Sequence, residues 1–159
     1  AIAGITDIPS TFNKLALTDG STADTKVYPM GTRAIQLSDS SVASYFLQAF
    51  GRNERAITCE CERSDTPSMV QVLHLSNGTT LNDKLKNKDA RVTGLLAAQK
   101  DTTKLVDEIY LQCLARFPSK REKDGLLAVF KETPAKEKRP AVEDLFWALM
   151  TSREFLFQH

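Results

Sequence analysis

The sequence predicts an all-α, orthogonally packed multi-helix bundle with an irregular, loop-rich N-terminal third. From about residue 41 onward, apolar residues recur at three- and four-residue spacing, which is the period of a helix with one buried face. Many of these stretches are flanked by side chains that cap helix ends. Residues 1–40 are instead interrupted by proline and glycine and show no sustained period. We therefore expect an irregular segment over residues 1–40 and a helical bundle over residues 41–159, within a single domain.

Short elements are expected in the irregular segment and in the middle of the chain. Residues 18–21 have the composition of a turn, and residues 27–28 and 34–37 favour short extended pieces. A first helix is expected near Ser41, because Val42, Tyr45 and Phe46 share one face, and Gly51 is its expected end. Apolar and charged residues then alternate over residues 57–62, which favours an extended segment. Three short helices follow, carrying the pairs Met69 and Leu73, Leu81 and Leu85, and Val92 and Leu95.

The last third of the chain has the clearest helical signals. Asp101 is expected to cap a helix whose apolar ridges end at Phe117 and Leu114. Ser119 and Glu122 have the spacing of a capping box and predict the start of the next helix. A final helix and a last turn near residues 153–157 follow. The expected buried residues of these later helices are Leu126, Leu127, Phe130, Val142, Leu145, Phe146 and Leu149.

Composition narrows the class of protein. The chain has 159 residues, of which 42% are hydrophobic, enough for a packed core and too apolar for disorder. A net charge of +1 argues against a dedicated binder of nucleic acid or of anionic membranes. No apolar run reaches the roughly 18 residues that a membrane span needs. The chain opens Ala-Ile-Ala-Gly, without an initiator methionine or a signal peptide, so we expect a piece of a longer protein.

The candidate metal ligands are Cys59, Cys61 and His74. Alternation places both thiols on one face of the expected extended segment, and two thiolates with an imidazole are suitable ligands for a transition metal. Their spacing matches no established zinc or haem motif. The residues favour the alternative that the thiols pack as small apolar side chains and that no cofactor is bound.

Charged side chains around the cysteines balance one another. The expected structural ion-pair network consists of Arg52, Arg55, Glu60, Glu62 and Arg63. An alternative is that these arginines, with Arg33, bind an anion or a polysaccharide, because guanidinium groups pair with carboxylates and sulfates. That alternative, a carbohydrate-binding or carbohydrate-processing accessory domain, predicts that Trp147 or Tyr28 is exposed as a sugar platform. The basic residues near the helix connections lack interleaved aromatics and favour helix-end solvation.

Several stretches resemble one family. They include Tyr28-Pro-Met-Gly-Thr-Arg-Ala34, Ser44-Tyr-Phe-Leu47, Phe50-Gly-Arg52, Cys59-Glu-Cys-Glu-Arg63, Leu73-His-Leu75 and the ending Glu154-Phe-Leu-Phe157 with His159. Over most of its length the chain resembles the C-terminal domain of unknown function of large planctomycete proteins. Those proteins often also carry planctomycete cytochrome c-like segments.

The resemblance implies an exported protein at the periplasm or cell surface, with this chain as the C-terminal part of a larger module. The implied partners are other domains of the same polypeptide, cytochrome c-like domains among them. Because the sequence carries no complete catalytic motif, we expect a non-catalytic structural or interaction role. The alternatives are a metal- or redox-linked domain that uses Cys59 and Cys61, and the carbohydrate-related domain.

Overall fold

A computed structural model describes residues 1–52 and 69–157 of the chain. The described residues are mostly helical and include one small two-stranded sheet, which confirms the predicted all-α class. None of the described helices is long and apolar enough to cross a membrane. The strands are β1 (Lys14–Ala16) and β2 (Thr22–Asp24). The helices are α1 (Ile2–Thr6), α2 (Tyr45–Ala49), α3 (Met69–Asn77), α4 (Thr79–Lys86), α5 (Arg91–Ala98), α6 (Thr102–Leu114), α7 (Lys120–Glu132), α8 (Lys138–Met150) and α9 (Arg153–Leu156).

Contacts along the chain define two compact units. The bundle unit comprises residues 1–8 and 79–159, and the hairpin unit comprises residues 9–78. The sequence-based boundaries at residues 1–40 and 41–159 stay a prediction.

The core of the bundle unit lies mainly between α6 and α8. Both predicted ridges of α6 are buried, with Leu105, Val106 and Ile109 fully shielded from solvent. Each such aliphatic side chain contributes about 1.5–3 kcal/mol through burial. Phe117 departs from the prediction: it is exposed, because the helix ends at Leu114 and the next residue, Ala115, adopts a left-handed conformation. The residues of α8 in this core are Val142, Leu145, Phe146, Leu149 and Met150.

The predicted caps are present in the bundle unit. A carboxylate oxygen of Asp101 accepts from the Thr103 amide at 2.9 Å, at the start of α6. At the start of α7 the Ser119 amide donates to Glu122 at 2.7 Å, and the Glu122 amide donates to the Ser119 hydroxyl at 3.3 Å. These local hydrogen bonds satisfy amide groups that have no partner inside the helix.

In the hairpin unit, β1 and β2 pair antiparallel, with Leu15 opposite Ala23. They flank the predicted turn, where Gly20 has the positive φ that glycine accepts without strain. Two expectations for this unit are wrong. The strands lie at 14–16 and 22–24, whereas residues 34–36 form a single 3-10 turn. Val42 does not begin a helix but forms a β-bridge with Leu15, and α2 starts at Tyr45 after the Ser44 cap.

Candidate interaction surface

Most of the predicted site residues lie outside the described residues. This applies to both candidate thiol ligands, Cys59 and Cys61, and to four members of the expected ion-pair network: Arg55, Glu60, Glu62 and Arg63. The metal site and the ion-pair network therefore stay predictions. In the described ranges, no group of three or more His, Cys, Asp or Glu side chains is arranged to hold a metal ion.

His74, the third candidate ligand, lies on α3 and is half-buried against α2. Its ring centroid is 5.2 Å from that of Tyr45 and 5.5 Å from that of Phe46. One turn earlier, the Gln71 side-chain amide donates to the Ala49 carbonyl at 3.0 Å. These contacts hold one side of α3 against α2, so the position of His74 is that of a residue at the edge of a packed helix pair.

Arg52 and Tyr28 both form hydrogen bonds with the loop that contains Asp39. The Arg52 Nη2 donates to the Asp39 carbonyl at 2.8 Å. The Tyr28 hydroxyl accepts from the Asp39 amide at 3.0 Å and lies 3.1 Å from the Ser38 hydroxyl. Tyr28 is half-buried, and its hydroxyl is engaged with this loop.

Trp147, the other proposed sugar platform, lies on α8. It is half-buried and packs against the core of the bundle unit.

The α3 face, defined as Met69, Val70, Val72 and Leu73, is the most exposed apolar surface on a described helix. The exposed fractions of these four side chains range from 49% for Val70 to 73% for Met69. At 3.6 residues per turn they cover about 160° of the helix circumference. The opposite side carries Gln71, His74 and the buried Leu75, and it is the side that contacts α2.

The α3 face contains no ionisable side chain. Soluble monomers rarely expose contiguous apolar patches above a few hundred Å², about the scale that four half-exposed aliphatic side chains reach together. Burying such a face against a partner is favourable by roughly 25 cal/mol per Å². The arrangement can therefore bind an apolar surface, and it holds no group suited to acid–base or nucleophilic chemistry.

The sequence predicts the helix that carries this face but not the exposure of the face. The signal that points to it is the nearly uniform apolar character of residues 69–75, which exceeds the single stripe that a half-buried helix requires.

A second feature that the sequence did not indicate is the Arg116 cluster, which consists of Arg116, Glu122 and Glu154. Arg116 forms ion pairs with Glu122 at 3.0 Å and with Glu154 at 2.5 Å. Hydrogen bonds from Arg116 and Ser119 lower the pKa of Glu122 to about 2. Glu154, 38 residues from Arg116, is brought to it only by the tertiary fold.

Cys113 is the cysteine within the described residues, and it is buried in α6. Burial raises the pKa of its thiol to about 12. Because the thiolate is the reactive form, this thiol should react far more slowly at neutral pH than an exposed cysteine does.

Together, these features define a mostly α-helical protein with an exposed, uncharged apolar face on α3. A protein-family model described as "PSD1: Protein of unknown function (DUF1553)" matches residues 13–130. The match covers most of the chain, and the chain belongs to this family. The resemblance to a domain of unknown function is thereby confirmed at the level of the family. Searches of curated proteins and of solved structures returned no match.

Proposed function

We propose that this chain is a non-catalytic structural or interaction module of a larger, exported, multidomain protein. The observation that supports the proposal is the α3 face, whose four apolar side chains are exposed on the side of α3 that faces away from α2. Exposure of such an apolar face to water is energetically unfavourable, and contact with an apolar partner removes the face from water.

The proposed partners are other domains of the same polypeptide, cytochrome c-like domains among them, at the periplasm or cell surface. The absence of charge on the α3 face favours a protein partner with an apolar contact surface. Nucleic acids and anionic membranes attract lysine and arginine instead, and the α3 face contains neither.

Methionine oxidation tests the proposal, because the chain contains three methionines that differ in exposure. Met69 and Met30 are both 73% exposed, whereas Met150 is 0% exposed. Dilute peroxide converts accessible methionine to the sulfoxide, which mass spectrometry detects residue by residue. In the chain alone, Met69 and Met30 should oxidise at similar rates and Met150 far more slowly.

In the full polypeptide that carries this chain, Met69 should be protected severalfold relative to the chain alone. Substitution of Val72 by Glu places a charge in the proposed contact and should restore Met69 oxidation in the full polypeptide. Val129→Glu is the matched control, because Val129 on α7 is exposed to nearly the same extent, 57% against 55%. Equal Met69 oxidation in the chain alone and in the full polypeptide would refute the proposal.

A further inference from the structure

The helix α9 is a single turn, and two of its side chains make the contacts with the bundle unit that matter here. One turn of helix is not stable by itself, because nucleation is unfavourable. Phe155 packs against the core, and Glu154 binds Arg116. Leu156, the last residue of α9, and Phe157, the residue that follows it, are exposed.

Glu154 binds one edge of the Arg116 guanidinium group through both carboxylate oxygens. The Arg116 Nε donates to Oε1 at 2.5 Å, and Nη2 donates to Oε2 at 2.8 Å. Two parallel N–H···O hydrogen bonds fit a planar carboxylate group, and they are more selective for a carboxylate than a single ion pair is.

Other contacts hold Arg116 in place independently of Glu154. Glu122 accepts from Nη1 at 3.1 Å and from Nη2 at 3.0 Å, and the Phe117 carbonyl accepts from Nη1 at 3.0 Å. The guanidinium carbon lies 5.4 Å from the centroid of the buried Tyr110 ring, within range of a cation–π interaction. The edge of Arg116 that binds Glu154 is therefore preorganised for a carboxylate.

We propose that this edge of Arg116, together with the core surface under Phe155, is a binding site for a Glu-Phe peptide segment, and that α9 occupies it in cis. The tether to α8 gives α9 a high effective concentration at the site, so a free segment does not displace it from the intact chain. The ligand class is a one-turn peptide that presents a carboxylate followed by an aromatic ring. This site shares no residue with the α3 face, and its test has a different readout.

The experiment uses the full chain with Glu154→Gln and Phe155→Ala, which empties the site without removing α9. The probe is a fluorescent peptide with the sequence of residues 152–157, Ser-Arg-Glu-Phe-Leu-Phe. The double variant should bind the peptide saturably, whereas the unmodified chain should bind it at least about tenfold more weakly because α9 competes. A peptide with Gln in place of Glu should lose about tenfold in affinity, as expected for loss of a paired charge-assisted hydrogen bond.

Two results would overturn the proposal. One is that the double variant keeps its helical circular dichroism but shows no saturable binding at about 1 mM peptide. A ligand that is normally tethered binds weakly when it is free, so its binding is expected in this concentration range. The other is equal affinity for the Glu and Gln peptides.

If the double variant loses its helical signal, hydrogen exchange on the single variant Glu154→Gln decides. Exchange should then rise severalfold in α9 alone, and unchanged exchange there would contradict the proposal. Glu132→Gln is the control, because Glu132 is an exposed carboxylate on α7.

Discussion

Replacement of Phe146 by Ala tests whether the α6–α8 core supplies the stability of the bundle unit. Phe146 is 1% exposed and is the largest of the fully buried side chains among the described residues. A phenylalanine that buries roughly 150–200 Å² contributes about 4–5 kcal/mol at 25 cal/mol per Å². Measured Phe→Ala losses in protein cores are about 3–5 kcal/mol, a range that includes the cavity left behind. We therefore expect the free energy of unfolding to fall by about 4 kcal/mol, a large share of a typical 5–15 kcal/mol.

Urea denaturation followed by fluorescence measures this loss, because the only tryptophan of the chain, Trp147, adjoins the substituted residue. With a slope of about 2 kcal/mol per M, the midpoint should fall by roughly 2 M. Leu73→Ala is the control: it removes a half-exposed side chain of the α3 face and should change the free energy of unfolding by under about 0.5 kcal/mol. A loss below about 1 kcal/mol for Phe146→Ala would refute the reasoning.

Three further predictions concern a pair of glycines, a cysteine and a glutamate. A Cβ at position 78 would overlap the His74 carbonyl oxygen, whereas one at position 94 meets open space. Gly78→Ala should therefore lower the thermal midpoint, and Gly94→Ala, within α5, should raise it by the equivalent of about 0.5–1 kcal/mol. With a pKa of about 12, Cys113 should react with iodoacetamide at pH 8 roughly a thousandfold more slowly in the folded chain than in urea, as peptide mass spectrometry measures. The pKa of Glu122 is lowered to about 2 in the folded chain, so its stabilising contribution is present at neutral pH and is lost as the pH falls from about 5 toward 2. In Glu122→Gln the thermal midpoint should decline less steeply over that pH range; an equally steep decline would contradict the assignment.

The features that the sequence predicted well are those set by local interactions. Ser119 and Glu122 are three residues apart, so their reciprocal hydrogen bonds follow from the sequence alone. The start of α6 at Asp101 and the buried face of that helix follow from a cap and the helical period in the same way.

The features that the sequence missed depend on distant partners. Val42 has helical spacing from Tyr45 and Phe46, but pairing with Leu15 draws it into an extended conformation, and Ser44 then caps the helix later. Arg116 and Glu154 are 38 residues apart in the sequence, and no helical or strand period predicts their contact. The sequence did not indicate the exposure of the α3 face either. The helical period of apolar residues identifies a helix, whereas burial depends on which elements pack against that helix.

The full set of hydrogen bonds made by the Arg116 guanidinium group limits which substitutions homologous chains can accept at this cluster. All five guanidinium N–H groups have an acceptor: three donate to Glu122 and the Phe117 carbonyl, and two donate to Glu154. Lysine has three donors at a single point and cannot reproduce this planar fork. We expect homologous chains to vary these three positions together: where position 154 is not acidic, arginine at position 116 should lose its advantage over lysine.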